Sequence, residues 1–258
     1  MDEKISPYEF MEFIRFIARH NAIHGVFVVG GFVRDELIFG DSSHAHDIDI
    51  TCVDANRGRE LASLVASELR IDYPQAQHRT GTVTLEIGDI DVDFKGDLIL
   101  EDYLIEMRKL GVDVNNLTQD IYGRDFTVNT LLRSLQTWKL LDVTGKGLKD
   151  LDDGLLRTTL APHIVLKNNP LIATRAVRFI CKLGFDVEDE LVDYINKNCQ
   201  EVIDKIGESR MVWEMSLLTK YDLQDVMEAI DKVGLDKKLI SKDAMDVLRG
   251  MPIPDIYL

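Results

Sequence analysis

The chain has 258 residues, of which 45% are hydrophobic and 29% charged, and it carries a formal net charge of −15. That length supports one sizeable core, or one core with a helical annex. No stretch approaches the roughly 18 consecutive apolar residues of a membrane span, and the acidic balance argues against a broad basic nucleic-acid footprint while permitting a local basic groove.

The first residues, MDEKISPYEF, lack the basic-then-apolar order of a signal peptide. Cys52, Cys181 and Cys199 lie far apart in apolar surroundings, as expected for reduced buried thiols in a cytoplasmic protein. Ser6-Pro7-Tyr8-Glu9 reads as a capping box with proline at the first helical position. It predicts a helix to about His20 that buries Phe10, Ile14, Phe16 and Ile17.

An apolar strand, Val26 to Val29, then meets the pair Gly30-Gly31, and Val33 to Phe39 is predicted helical. After a polar loop, Asp47 and Asp49 open a second strand that continues from Ile48 to Val53. Carboxylates at i and i+2 of a strand share one face, about 7 Å apart along the chain. Two such oxygen donors suit a divalent ion of the Mg2+ type. The glycines bring bare backbone N–H groups and a helix N-terminus to the same place, which suits phosphate. His44 and His46 precede the carboxylates in the polar loop and are read as loop residues rather than metal ligands.

Neither DxD nor a glycine pair is specific alone. Joined as GGxVRD, a short loop and DxDI, they resemble the signature of the class II tRNA nucleotidyltransferase/poly(A) polymerase family, within the polymerase-β-like nucleotidyltransferase superfamily. The resemblance extends from about Phe27 to Leu218. It implies an α/β head on a small mixed sheet (1–157), a helical neck (158–220) and a short helical remnant (221–258).

Further along, Asp54 to Asn56 caps a predicted helix to about Arg70, with Leu61, Leu64, Val65 and Leu69 on one face. Thr82 to Ile87 alternates, Gly88-Asp89 makes a two-residue turn, and Ile90 to Phe94 returns with Ile90, Val92 and Phe94 inward. Asp91 and Asp93 fall on the other face. The family carries a third acidic residue on this strand; Asp91 aligns best, and Asp93 is the alternate. The pattern from Lys95 to Asn116 is poor and suggests a mobile segment; in the family this region covers the active site.

LTQDIYGRDFTVN (117–129) is similar to the family's DxxRRDFTxN, with Gly123 in place of the first arginine. The resemblance assigns Asp120, Arg124, Asp125 and Asn129 to the nucleotide, together with Gly30, Gly31 and Arg34. Arginine grips phosphate bidentately, and asparagine can both donate and accept. Leu141 to Gly145, Asp150-Leu151 and Leu156-Arg157 fit a further, mainly structural motif that closes the head.

NNPLIATRAVRFICKLG (168–184) resembles EDxLRxxRAxRFxxxLG, but Asn168 and Asn169 replace its acidic pair and Ile172 its first arginine. In the family those side chains read the Watson–Crick edge of the incoming base. Isoleucine donates nothing, whereas Asn169 can both donate and accept, so base choice is expected to be altered. Arg175, Arg178 and Lys182 form a basic stripe at i, i+3 and i+7 opposite Val177, Ile180 and Cys181. With the resemblance, Asn169, Arg175 and Arg178 line the nucleotide pocket. Arg210 and Glu214 brace one helix, and Leu223, Val226, Met227 and Ile230 share another. Trp138 and Trp213 are expected in the core or an interface.

The resemblance thus implies a two-metal, Mg2+-dependent transferase that moves NMP from an NTP, ATP or CTP, to an RNA 3′ end, tRNA first. Asp47, Asp49 and Asp91 would hold the metals. Transfer to another acceptor, or NTP binding without transfer, are the alternatives. No membrane partner is expected, and the oligomeric state is open.

Overall fold

The computed structural model describes residues 6–41, 45, 47–74, 81–96 and 100–257. His44 and His46 lie outside the described residues. The chain divides into two compact units, Met1–Leu151 and Asp152–Leu258.

The first unit opens with α1 (Pro7–His20). Its start is a complete capping box: the Glu9 amide donates to Ser6 Oγ at 3.3 Å, and the Ser6 amide donates to Glu9 Oε2 at 2.9 Å. Phe10, Ile14 and Ile17 are buried as expected, each contributing about 2 kcal/mol. Phe16 is not: it is 55% exposed and lies against the His20 ring, centroids 3.9 Å apart. The helix buries the stripe running through residues 10, 14 and 17, and 16 falls outside it.

Then come β1 (Val26–Val29), α2 (Gly31–Phe39), β2 (Asp47–Cys52), α3 (Ala55–Leu69), β3 (Val83–Ile87) and β4 (Ile90–Phe94). Next are α4 (Glu101–Lys109), α5 (Asn116–Tyr122), β5 (Leu132–Ser134), β6 (Leu140–Leu141) and α6 (Gly147–Asp152). The six strands form one sheet in the order β3-β4-β2-β1-β5-β6. Only β2 and β4 run parallel; the other neighbours are antiparallel. This is the small mixed sheet that was expected.

The core covers one sheet face, where Ile48 and Ile50 of β2 and Val92 and Phe94 of β4 meet α1 and α3 residues such as Ile14, Leu61 and Val65. Ile87 pairs with Ile90 across Gly88-Asp89, and Gly88 takes φ +63°, so the turn is the predicted two-residue one. Between 95 and 116 the structure departs from expectation. α4 stands there, anchored by Tyr103 and the fully buried Met107 at i, i+4. Two anchors on nine residues are too few to register as periodicity.

The second unit contains β7 (Leu155–Leu156), α7 (Pro162–Asn168), α8 (Ile172–Leu183), β8 (Asp186–Val187), α9 (Asp189–Ile206), α10 (Glu208–Ser216), α11 (Leu223–Val233) and α12 (Lys242–Leu248). Apart from the short parallel pair β7/β8 it is helical. Val226 and Ile230 of α11 are buried, but Leu223 is exposed at its first turn. Trp213 on α10 is also exposed, at 48%, whereas Trp138 packs against the first unit's core. Arg210 reaches Glu214 at 3.5 Å within α10, the expected brace.

Candidate active site

The sheet face away from the core carries the acidic residues. In the parallel pairing of β2 and β4, Asp47 stands opposite Asp91 and Asp49 opposite Asp93. Adjacent strands lie about 4.8 Å apart, so four carboxylates crowd one patch. Asp47 and Asp91 are exposed, and Asp49 and Asp93 are half-buried.

The half-buried pair is compensated. Lys95 Nζ is 2.8 Å from Asp49 Oδ1 and 2.8 Å from Asp93 Oδ2. Thr84 Oγ1 donates to the other oxygen of Asp93 at 2.6 Å. Arg124 Nη1 donates to Asp49 Oδ2 at 2.9 Å, and its Nη2 donates to Asp120 Oδ2 at 3.2 Å. Burial alone would raise the Asp49 pKa, but Arg124 and then Lys95 outweigh it and hold the carboxyl below its ordinary value. Burial pulls the Lys95 ammonium down, and Asp49 then lifts it, so it ends above its usual value and stays charged. Arg124 is raised likewise, against burial, by Asp120 and Asp49.

Gly30 explains why the glycine pair sits where it does. It caps α2 at φ +85°, a conformation that L side chains rarely adopt. A Cβ there would lie 2.6 Å from Arg124 Nη1 and 2.9 Å from Asp49 Oδ2. The glycine therefore makes room for the ion pair. Gly31 begins α2, with space for a Cβ 3.5 Å from Arg34 Nη2.

A second network stands behind the first. Arg34, 4% exposed, donates through Nε to Asp35 Oδ1 at 2.7 Å and through Nη1 to Asn129 Oδ1 at 2.6 Å. Asn129 Nδ2 donates to Asp125 Oδ1 at 2.7 Å, and the same oxygen accepts from the Phe126 amide at 2.8 Å. Burial, with Asp125 adding to it, pushes the Tyr103 phenol of α4 up to about 12.

Two contacts fix α5 and the turn after it. Asn116 Nδ2 donates to Cys52 O at 2.7 Å, tying the start of α5 to the end of β2. Thr127 Oγ1 donates to Asp150 Oδ2 at 2.6 Å. Asp142 accepts from Thr144 Oγ1 and the amides of Gly145 and Leu148, and at Gly147 a Cβ would meet Thr127 O at 2.8 Å. The Leu141 to Leu151 motif thus braces the site from outside.

Ten of the thirteen candidate site residues, Gly30 to Asn129 in sequence, therefore belong to the first unit. In its networks Asp49 and Asp120 share Arg124, and Arg34, Asn129 and Asp125 form a chain. The remaining three belong to the second unit. Asn169 closes α7 with its amide on Val165 O at 2.8 Å, and Arg175 and Arg178 are half-buried on α8. Ile172 is 1% exposed in that unit's core, and Asn168 Nδ2 donates to Ile164 O at 2.9 Å.

Lys95 and Thr84 were missed from sequence. Lys95 follows Asp91 and Asp93 at the period of a strand, so it shares their face, and that alternation was the available signal. As for a metal, carboxylates suit a hard divalent cation, and Asp47, Asp49 and Asp91 face the same side. Asp91 makes no hydrogen bond or ion pair among the described residues, whereas Asp93 is held by Thr84 and Lys95. The donor set fits Mg2+ in kind, although among the described residues no three such side chains are already gathered into a cage.

Residues 26–157 match the family model for the poly(A) polymerase head domain. A tRNA nucleotidyltransferase of Schizosaccharomyces pombe is 32% identical over 209 residues, covering 75% of this chain and 43% of the relative. A mitochondrial CCA tRNA nucleotidyltransferase of Candida glabrata is 29% identical over 195 residues, covering 67% and 36%. Among solved structures, a tRNA nucleotidyltransferase complexed with a primer tRNA and an incoming ATP analogue superposes with a TM-score of 0.66 at 23% identity, covering 85% of this chain and 60% of that one. The chain spans less than half the length of these two curated relatives.

Proposed function

The chain belongs to the class II CCA-adding/poly(A) polymerase family of nucleotidyltransferases, and from that premise we propose that it transfers a nucleotide from an NTP to an RNA 3′ end, with tRNA the favoured acceptor. The observation that carries the proposal is the meeting of Asp49, Arg124 and the positive-φ Gly30 at the N-terminus of α2. Carboxylate, guanidinium and bare backbone donors are what a triphosphate with its metal requires.

In this reading the N-terminus of α2 and the Arg124 fork receive the phosphates. Asp120 keeps the guanidinium plane oriented by its bond to Nη2. Arg34 and Asp125 fix Asn129 from either side, leaving one amide hydrogen and one carbonyl lone pair to meet a sugar hydroxyl. Mg2+ held by Asp47, Asp49 and Asp91 would supply acidity for the attacking 3′-hydroxyl and charge stabilisation for the departing pyrophosphate. We take Asp91 over Asp93 as the third ligand because it stands directly opposite Asp47 and both are exposed.

Base choice is the altered part. Asn169 can pair with the edge of adenine or cytosine, or, flipped, of uracil, while the buried Ile172 gives no second contact. Selection by Asn169 alone favours relaxed addition over an ordered C-C-A sequence. The same loss favours a second reading, NTP binding without transfer. The three free cysteines suit a reducing compartment, and we favour the cytoplasm, although the Candida relative is named as mitochondrial.

End-labelling with each NTP separately, on tRNA that stops at its discriminator base, tests the whole reading. We expect metal-dependent extension with pyrophosphate release, loss of it in Asp47→Ala with the fold intact, and incorporation of more than C and A. Strict C-C-A addition would overturn the base-choice reading. NTP binding with no pyrophosphate release on any RNA would leave the binding module.

A further inference from the structure

We propose that Lys95 is a displaceable internal counter-ion: its ammonium holds the position between Asp49 and Asp93 that a divalent ion disturbs on entry, and so sets the metal affinity of the site. The inference rests on the metal-binding reading above and adds a residue to it.

Three observations support it. The ammonium stands 2.8 Å from one oxygen of each of two carboxylates on adjacent strands, so it neutralises a pair whose repulsion would otherwise oppose the pairing of β2 and β4. Its backbone is fixed, the Lys95 amide donating to Ile50 O at 2.8 Å, while its four-carbon stem is free to carry the charge elsewhere. Finally, the two cations on Asp49 differ in kind. Arg124 is a planar fork clamped at both ends by Asp49 and Asp120, whereas Lys95 is a point charge shared between two acceptors. When a metal takes Asp49 Oδ1, Lys95 can keep Asp93 and give up Asp49, and no buried charge is stranded. Asp93 then serves as the ammonium's resting place rather than as a ligand, which assigns separate tasks to the two acidic residues of β4.

The test is a Mn2+ titration of the full chain without nucleotide, followed by electron paramagnetic resonance of the free ion and by calorimetry. Lys95→Met, with Lys95→Gln as a second variant, should bind Mn2+ about tenfold or more tightly than the unsubstituted chain. Without metal both variants should melt at lower temperature, and Mn2+ should restore the difference. Affinity unchanged or weakened in two folded variants overturns the proposal. Asp47→Asn is the independent arm: if it binds Mn2+ as well as the unsubstituted chain, the metal-site reading itself fails, whatever Lys95 does.

Discussion

Arg124 and Asp49 form their ion pair in the space that a side chain at Gly30 would take, the Arg124 nitrogen 2.6 Å from the nearest Cβ position. The glycine of the GG motif is thus required twice, once by its backbone angle and once by what lies against it.

Gly30→Ala should therefore be far more damaging than a change at another positive-φ glycine. Gly40 caps the other end of α2 at φ +73° with nothing within 4 Å of a Cβ. Gly40→Ala meets only the strain of the left-handed helical region, about 1 kcal/mol, whereas Gly30→Ala meets the costlier backbone of φ +85° and ψ −140° and also crowds a charged pair, for a total of about 3 kcal/mol. Urea unfolding of the two variants gives the comparison. Equal losses would mean that the ion pair yields freely.

Arg124→Leu and Asp49→Asn, singly and together, measure the pair directly. Arg124 is 11% exposed, and removing it leaves Asp120 without that partner and Asp49 with Lys95 alone; the cost should be about 3 kcal/mol. The double variant should recover about 1–2 kcal/mol of the summed losses. Strict additivity in denaturant unfolding would show that the pair contributes no coupling.

Acid should weaken the first unit through Asp49. Its carboxyl is depressed in the folded chain, so its stabilisation is complete above the unfolded value of about 3.9 and is lost as pH falls through the lower folded value. Melting temperature should drop as pH falls below about 4, and the drop should be shallower in Asp49→Asn. A parallel pair of curves would remove Asp49 from the account.

Much of this site could be read from the chain because its parts follow local rules. The capping box of α1, the two-residue turn at Gly88-Asp89 and the alternation of Asp47 and Asp49 with Ile48 and Ile50 each depend on residues a few positions apart. What the sequence hid depends on distant partners. The family resemblance groups Gly30 with Arg124, 94 residues later, and Arg34 with Asn129, but no local rule shows that these pairs touch. Phe16 escapes the expected burial because large apolar residues are not obliged to be buried.

The altered base-reading segment should resist simple reversal. Ile172 is buried in the helical unit, so Ile172→Arg places a guanidinium where an alkyl group packs, at a cost of about 3 kcal/mol or more. We expect thermal destabilisation of the chain without restored C-then-A order. A stable variant with ordered addition would show that the arginine reaches solvent or nucleotide from this position.

The threonine hydroxyl on β3 gives the outermost strand a voice in the chemistry. β3 sets its own carboxylate, Glu86, opposite Asp91, while Thr84 occupies one oxygen of Asp93 and leaves the other for Lys95. Without that hydroxyl both Asp93 oxygens would pull on the ammonium and draw it from Asp49. The edge of the sheet thereby tunes how evenly one positive charge is divided between two neighbouring strands, from a position that no motif marks.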